Sequence, residues 1–133
     1  MPERKVRVGR ISGVSTDITD GPWLTFGGGV MALRYEFDRD ELLYRAGVEF
    51  RGVRASRHRT ESLCTSWHIK DSYDHVVQVE DSEWVAELAA IRPEWASRFP
   101  MNHFMLYLDS FGCLEVAAAG WNLVPEESAE SGD

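Results

Sequence analysis

The residues best suited to chemistry lie in "HRTESLCTSWHIKDSYDH", positions 58 to 75, which holds three of the four histidines and one of the two cysteines of the chain. Imidazole and thiolate side chains bind zinc and serve as acid, base or nucleophile, so spacing decides what they can do here. A zinc ion needs three or four N, S or O ligands at about 2.0 to 2.3 Å. Cys64 and His68 stand four residues apart, but "CTSWHI" reads as strand, where rises of about 3.3 Å per residue set their Cα atoms roughly 13 Å apart. If residues 62 to 64 turn a hairpin, His58 and His68 fall opposite each other, with Cβ atoms about 4.5 to 5.5 Å apart. They are then the candidate pair for a metal, yet nothing in the spacing demands a third ligand from His75, His103 or a carboxylate. No recognised ligand pattern is matched, so neither a metal nor a cofactor is expected. The cluster reads as a polar strand face whose imidazoles hydrogen-bond to carboxylates.

Other groups compete for a chemical role. A small hydrolytic or metal-dependent enzyme would have to use His58, His68 or His103 with a nearby carboxylate, and it would require those side chains to converge in a concave site. As a nucleophile Cys64 needs a base within hydrogen-bond reach, which His68 on the same strand cannot supply. Cys113, in phase with Ala117, Ala119 and Trp121 if one long strand runs unbroken from it, reads as core. The strand "RGVRASRHR" carries Arg51, Arg54, Arg57 and Arg59 and can bind phosphate, or pair with carboxylates elsewhere in the chain. "FGGGV" lacks the Lys-Ser/Thr and the following helix of a phosphate-binding loop, and reads as a turn. Asp71, Asp74, Glu80 and Asp81 could supply paired carboxylates, but Asp-Ser at 71 to 72 and 81 to 82 marks turns.

The elements that position these groups are mostly strands. Apolar residues alternate with period two along most of the chain, broken by Gly and Asp clusters. "ALRYEF", "DRDE" and "LLYRAGVEF" predict a hairpin, with Leu33, Tyr35 and Phe37 on one face and Leu42, Tyr44, Ala46, Val48 and Phe50 on a face of the return strand. At Arg51-Gly52 the apolar phase slips, which predicts a β-bulge. A second hairpin turns at "DSFG", with Gly112 suited to positive φ. The small run Ala117 to Gly120 leaves room for a helix to approach. That helix is "DSEWVAELAAIR", capped by Asp81 or Ser82, with a stripe of Trp84, Val85, Leu88 and Ile91. "PEWASRF" adds a short helical turn that places Trp95 and Phe99 four apart. Trp23 and Trp95 are the tryptophans expected to be exposed. The fold class is α+β, mainly an antiparallel twisted sheet of about six strands with one or two helices, about 81–99, packed on one face.

With 133 residues and 44% hydrophobic content the chain fits one domain over residues 1–125, followed by a disordered acidic tail at 126–133. Two cysteines and no apolar leader or membrane-length run point to a cytoplasmic protein. The net charge of −8 argues against nucleic acid as a partner. That charge is uneven: residues 1–70 carry twelve Lys/Arg against nine Asp/Glu (+3), and residues 71–133 carry two against thirteen (−11). A basic protein partner would dock on the acidic half, and Asp71, Asp74, Glu80, Asp81, Glu83 and Glu87 are the residues expected to meet it. A homodimer through an exposed sheet edge or a Trp-bearing face is compatible with that reading.

"FRGVRASRHR", "CTSWHIKDSYDHVVQVEDSEWVAEL" and "HFMLYLDSFGCLEVAAAGW" together resemble a family of small uncharacterised proteins from high-GC Gram-positive bacteria, over roughly residues 33 to 124. The resemblance implies a small bacterial domain and carries over no catalytic residue. In size, acidity and α+β character the chain is also similar to immunity proteins of bacterial toxin systems, an analogy of type only. The function expected is therefore a non-enzymatic, immunity- or antitoxin-like protein-binding domain.

Overall fold

Period-two apolar runs become strands along most of the chain. The computed structural model describes residues 2–130. Its strands are β1 (Arg4–Arg10), β2 (Ile18–Gly27), β3 (Val30–Arg39), β4 (Leu42–Arg51), β5 (Ala55–Arg59), β6 (His75–Glu80), β7 (Asn102–Leu108), β8 (Gly112–Ala118) and β9 (Gly120–Ser128). Three short helices join them, α1 (Ser66–Ile69), α2 (Glu83–Ile91) and α3 (Pro93–Ala96). The α+β class is as the sequence predicts, but the strands form two antiparallel sheets instead of one, in the orders β1-β6-β7-β8-β5 and β2-β3-β4-β9. We call these the five-stranded and the four-stranded sheet.

The two predicted hairpins are present. β3 and β4 pair from Val30↔Arg51 to Arg39↔Leu42, around Asp40 and Glu41, both at positive φ. That is the two-residue turn whose twist matches its strands. β7 and β8 pair from Asn102↔Ala118 to Leu108↔Gly112, and Gly112 has φ 99°. The inner faces of the sheets meet in one core: Leu33, Tyr35, Phe37, Val48 and Phe50 from one side, Val76, Phe104, Leu106, Leu114 and Val116 from the other. Each fully buried side chain of this kind contributes about 1.5 to 3 kcal/mol. The rings of Phe50 and Phe104, 5.8 Å apart, join the two sheets directly.

The chain crosses between sheets at one corner. The phase slip at Arg51-Gly52 is this crossing and not a bulge: β4 ends in one sheet, and β5 begins three residues beyond Gly52 in the other. β8 and β9, read as one long strand, separate at Ala119 into the two sheets. Ala119 N donates to Arg51 O at 2.9 Å, and the Ala119 methyl lies against Gly52. The small residues around 119 thus serve the crossing.

Two further expectations are corrected. "CTSWHI" is not a strand: Ser66–Ile69 is a helical turn closed by a reciprocal cap between Thr65 and His68. The Lys5 ammonium on β1 binds the carbonyls of Trp67 and Lys70 and the Ser72 hydroxyl, holding that turn on the sheet. The predicted tail does not begin at Glu126, because β9 runs to Ser128 and pairs Glu127 with Arg45 and Ser128 with Tyr44. Arg39 on β3 binds Glu126 through both oxygens, at 2.6 and 3.2 Å, so an acidic composition is offset by a cationic neighbour. Beyond β9, Ala129 N donates to Leu43 O at 2.9 Å, and residues 131–133 of that prediction lie outside the described residues.

Candidate functional site

The outer face of the five-stranded sheet is less simple than a solvated surface. β8 is buried along its whole length, and on its outer side Glu115 sits between Met105 of β7 and Arg57 of β5. Arg57 donates to both Glu115 oxygens, Nε to Oε2 at 2.9 Å and Nη2 to Oε1 at 3.0 Å. His103 Nε2 lies 2.7 Å from Oε1, and His103 is only 2% exposed. At its other nitrogen, Nδ1, His103 meets the Ser82 hydroxyl at 2.7 Å. Ser82 is the N-cap of α2 and accepts the Val85 N–H at 3.0 Å. Above the chain, the Trp84 indole stands edge-on to His103 and takes the Arg57 guanidinium on its face at 4.2 Å.

Burial alone would raise the Glu115 carboxyl, but the hydrogen bonds from His103 and Arg57 outweigh it and hold the group at about 2. An ionised carboxylate only accepts, so His103 donates its Nε2–H to Glu115, and its Nδ1 is hydrogen-bonded to the Ser82 hydroxyl. A hydroxyl, an imidazole and a carboxylate in sequence are the parts of an acyl-transfer triad. Here, however, the hydroxyl is engaged as a helix cap and the carboxylate is clamped by an arginine. What the arrangement does is hold the imidazole in one orientation and lock α2 onto β7. Ser82→Ala removes the cap and one partner of His103, and it is expected to cost about 2 kcal/mol in urea unfolding at unchanged slope. A loss below ~0.5 kcal/mol would show that the chain does not anchor the helix.

The other histidines do not join it. His58 and His68 are not opposed: β5 pairs with β8, His58 stands opposite Leu114, and its Nε2 meets the Phe111 carbonyl at 2.8 Å. In α1 His68 Nδ1 accepts the Thr65 N–H at 2.9 Å, and burial, aided by nearby Arg59, lowers its pKa. Among the described residues no group of three or more His, Cys, Asp or Glu side chains is placed to hold a metal ion. The Cys113 thiol is pushed up to about 12 by burial, which suits core and not a nucleophile. Arg57, one of the basic-strand arginines, meets a carboxylate of the second half of the chain, as the structural alternative for that strand requires.

The six acidic residues expected at a partner surface divide. Asp74 is buried: its Oδ2 accepts the Ser15 N–H at 3.1 Å, while its buried Oδ1 has no hydrogen-bond partner among the described residues. Asp71 lies 3.9 Å from Arg7, and Glu80 accepts from Arg4 at 2.9 Å. Asp81, Glu83 and Glu87 remain exposed on the turn before α2 and on its solvent side.

Near them lies an apolar concavity on this side of the sheet. α2, α3 and the segment after them enclose an apolar groove of about 380 Å³ lined by Leu88, Ile91, Trp95, Phe99 and Met101, with Arg54 and Arg92 at its margin. Ile91 is 69% and Trp95 52% exposed, although Ile91 belongs to the apolar stripe predicted to face the core. The Trp95 and Phe99 rings meet at a tilt with centroids 5.3 Å apart, and the Arg54 guanidinium carbon lies over the Phe99 ring at 4.7 Å. The exposed Trp95 was legible in its position beyond the helix. Glu115 and the use of Ser82 were missed, and the available signal was a lone carboxylate in the apolar run "CLEVAAA". Comparison of the chain with protein-family models, with curated proteins and with solved structures gives no match.

Proposed function

We propose that this protein is a non-enzymatic protein-binding domain that docks a basic partner on the α2–α3 face, in the manner of small acidic immunity proteins. The observation that carries the reading is the exposed apolar groove around Ile91, Trp95 and Phe99, set beside the solvent-facing acids Asp81, Glu83 and Glu87. A large apolar surface left in water is a contact surface more often than a structural one. Residues 80–98 carry five acids against two arginines, so cations around an aromatic or aliphatic anchor are the complement of this face. Arg54 is spread on an aromatic ring and adds to the groove wall as much as to its charge.

A displayed random-peptide library tests this. Selection on the protein is expected to recover peptides with an aromatic or large aliphatic residue next to Lys or Arg. Their affinity should fall about tenfold in Trp95→Ala and in the Glu83→Lys, Glu87→Lys double variant, and should weaken as salt rises. Selected peptides that bind both variants as well as the parent would place the contact surface elsewhere and overturn the proposal.

A further inference from the structure

A sheet leaves two edges, each a row of unpaired N–H and C=O groups that another strand can complete, and proteins blunt such edges with charge, proline or bulges. Three of the four edges here are blunted. β1 carries Arg4, Lys5, Arg7 and Arg10 and a register shift between Arg7 and Gly9. β5 is five residues long with Arg57 and Arg59. β9 contains Pro125, which has no N–H to offer, followed by Glu126 and Glu127. The fourth edge, β2, has none of these devices along its last five residues. From Gly21 to Leu33 the chain holds thirteen residues without a charge. Trp23, Leu24, Thr25 and Phe26 are all exposed, Trp23 by 46% and Phe26 by 63%. Their pairing with β3 is regular from Trp23↔Arg34 to Gly27↔Val30, so the free side of this segment is straight ladder.

The two faces of the segment are both apolar enough to be covered. Leu24 and Phe26 lie opposite Leu33 and Met31, on the core side of the four-stranded sheet, yet stay exposed where the core residues beside them are buried. Trp23 lies opposite Arg34 on the outer face.

We infer that β2 is an interface with a second copy of this chain, joined by antiparallel pairing of the two β2 strands about a two-fold axis. Charge selects this occupant. Two copies of a chain with net charge −8 repel each other over most of their surfaces, and the uncharged β2 edge lets them approach without setting like charges in contact. The pairing extends the four-stranded sheet into a continuous eight-stranded one and sets Leu24 and Phe26 against their equivalents. The inference is independent of the docking role given to the α2–α3 face, which lies on the other sheet.

Light scattering or sedimentation at tens of micromolar tests it, on the parent, a Leu24→Lys, Phe26→Lys variant, and Trp95→Ala as a control at the other apolar surface. The parent is expected at twice the chain mass of 15.1 kDa. The lysine variant, with an unchanged circular dichroism spectrum because both side chains are exposed, is expected at the single-chain mass, and Trp95→Ala at the doubled mass. A monomeric parent overturns the inference. So does a dimer that survives the lysines, or one that Trp95→Ala dissociates in their place.

Discussion

Glu115→Ala is expected to destabilise the protein by about 3 kcal/mol, more than any surface charge change, because it breaks a buried polar chain at its centre. The substitution leaves the Nε2–H of His103 without an acceptor in a place where water does not reach, and it releases Arg57 from a two-point clamp. Arg57→Ala is expected to cost roughly 1 kcal/mol, since that side chain is half exposed and His103 keeps its carboxylate. The contrast between the two distinguishes a buried chain from a surface ion pair. Acid should show the same origin. The folded-state carboxyl sits at about 2, below its ordinary 4.5, so the stabilisation is fully present above pH 4.5 and is lost as pH falls toward 2. Glu115→Gln should lack that part of the acid dependence. Urea midpoints of parent and variant measured from pH 6 down to pH 2 check this, and parallel pH profiles would refute it.

Gly112→Ala is expected to cost about 4 kcal/mol, for two reasons that add. Gly112 holds φ 99°, a conformation that side chains rarely adopt, and its missing Cβ is where the Arg59 carbonyl and Thr60 backbone pass. A methyl group there overlaps backbone, which cannot rotate away, so the end of β5 must move off β8. Gly28→Ala separates the two causes. Gly28 also has positive φ, at 60°, but nothing lies within 4 Å of its missing Cβ. It should therefore cost only about 1 kcal/mol. Equal losses in thermal or urea unfolding would mean that the Arg59 contact contributes nothing.

The parts of this fold that were legible are those set by neighbours in sequence. Asp40-Glu41 and the Gly112 turn fix hairpins from residues a few positions apart, and Ser82 caps α2 within its own first turn. α1 was not legible, because a helix of four residues cannot sustain itself and is held by Lys5, more than sixty positions away. The division into two sheets was hidden for the same reason. A phase slip at Gly52 looks alike whether the strand bulges or leaves the sheet, and only its meeting with Ala119 decides. In the candidate site, the sequence names His103 only together with His58 and His68 as a possible catalytic group, and the structure sets His103 apart from both. The carboxylate itself, Glu115, lies one strand away, and its partner Arg57 lies 58 positions from it. The acidic half of the sequence is likewise not one surface, since β1 returns Arg4 and Arg7 to Glu80 and Asp71.

The corner where both crossings meet has a consequence for the order in which the chain can assemble. The β2–β3, β3–β4 and β7–β8 hairpins close over short loops. β9 must find β4, and β5 must find β8, across long intervening segments, and neither pairing repays its loop-closure entropy until the Gly52–Ala119 corner has formed. Folding on this plan is fast local closure of the hairpins followed by a slow docking step. Until the slow step is complete, the hairpins stand with their apolar faces bare, and the pairings of β9 with β4 and of β5 with β8 are the ones that cover them.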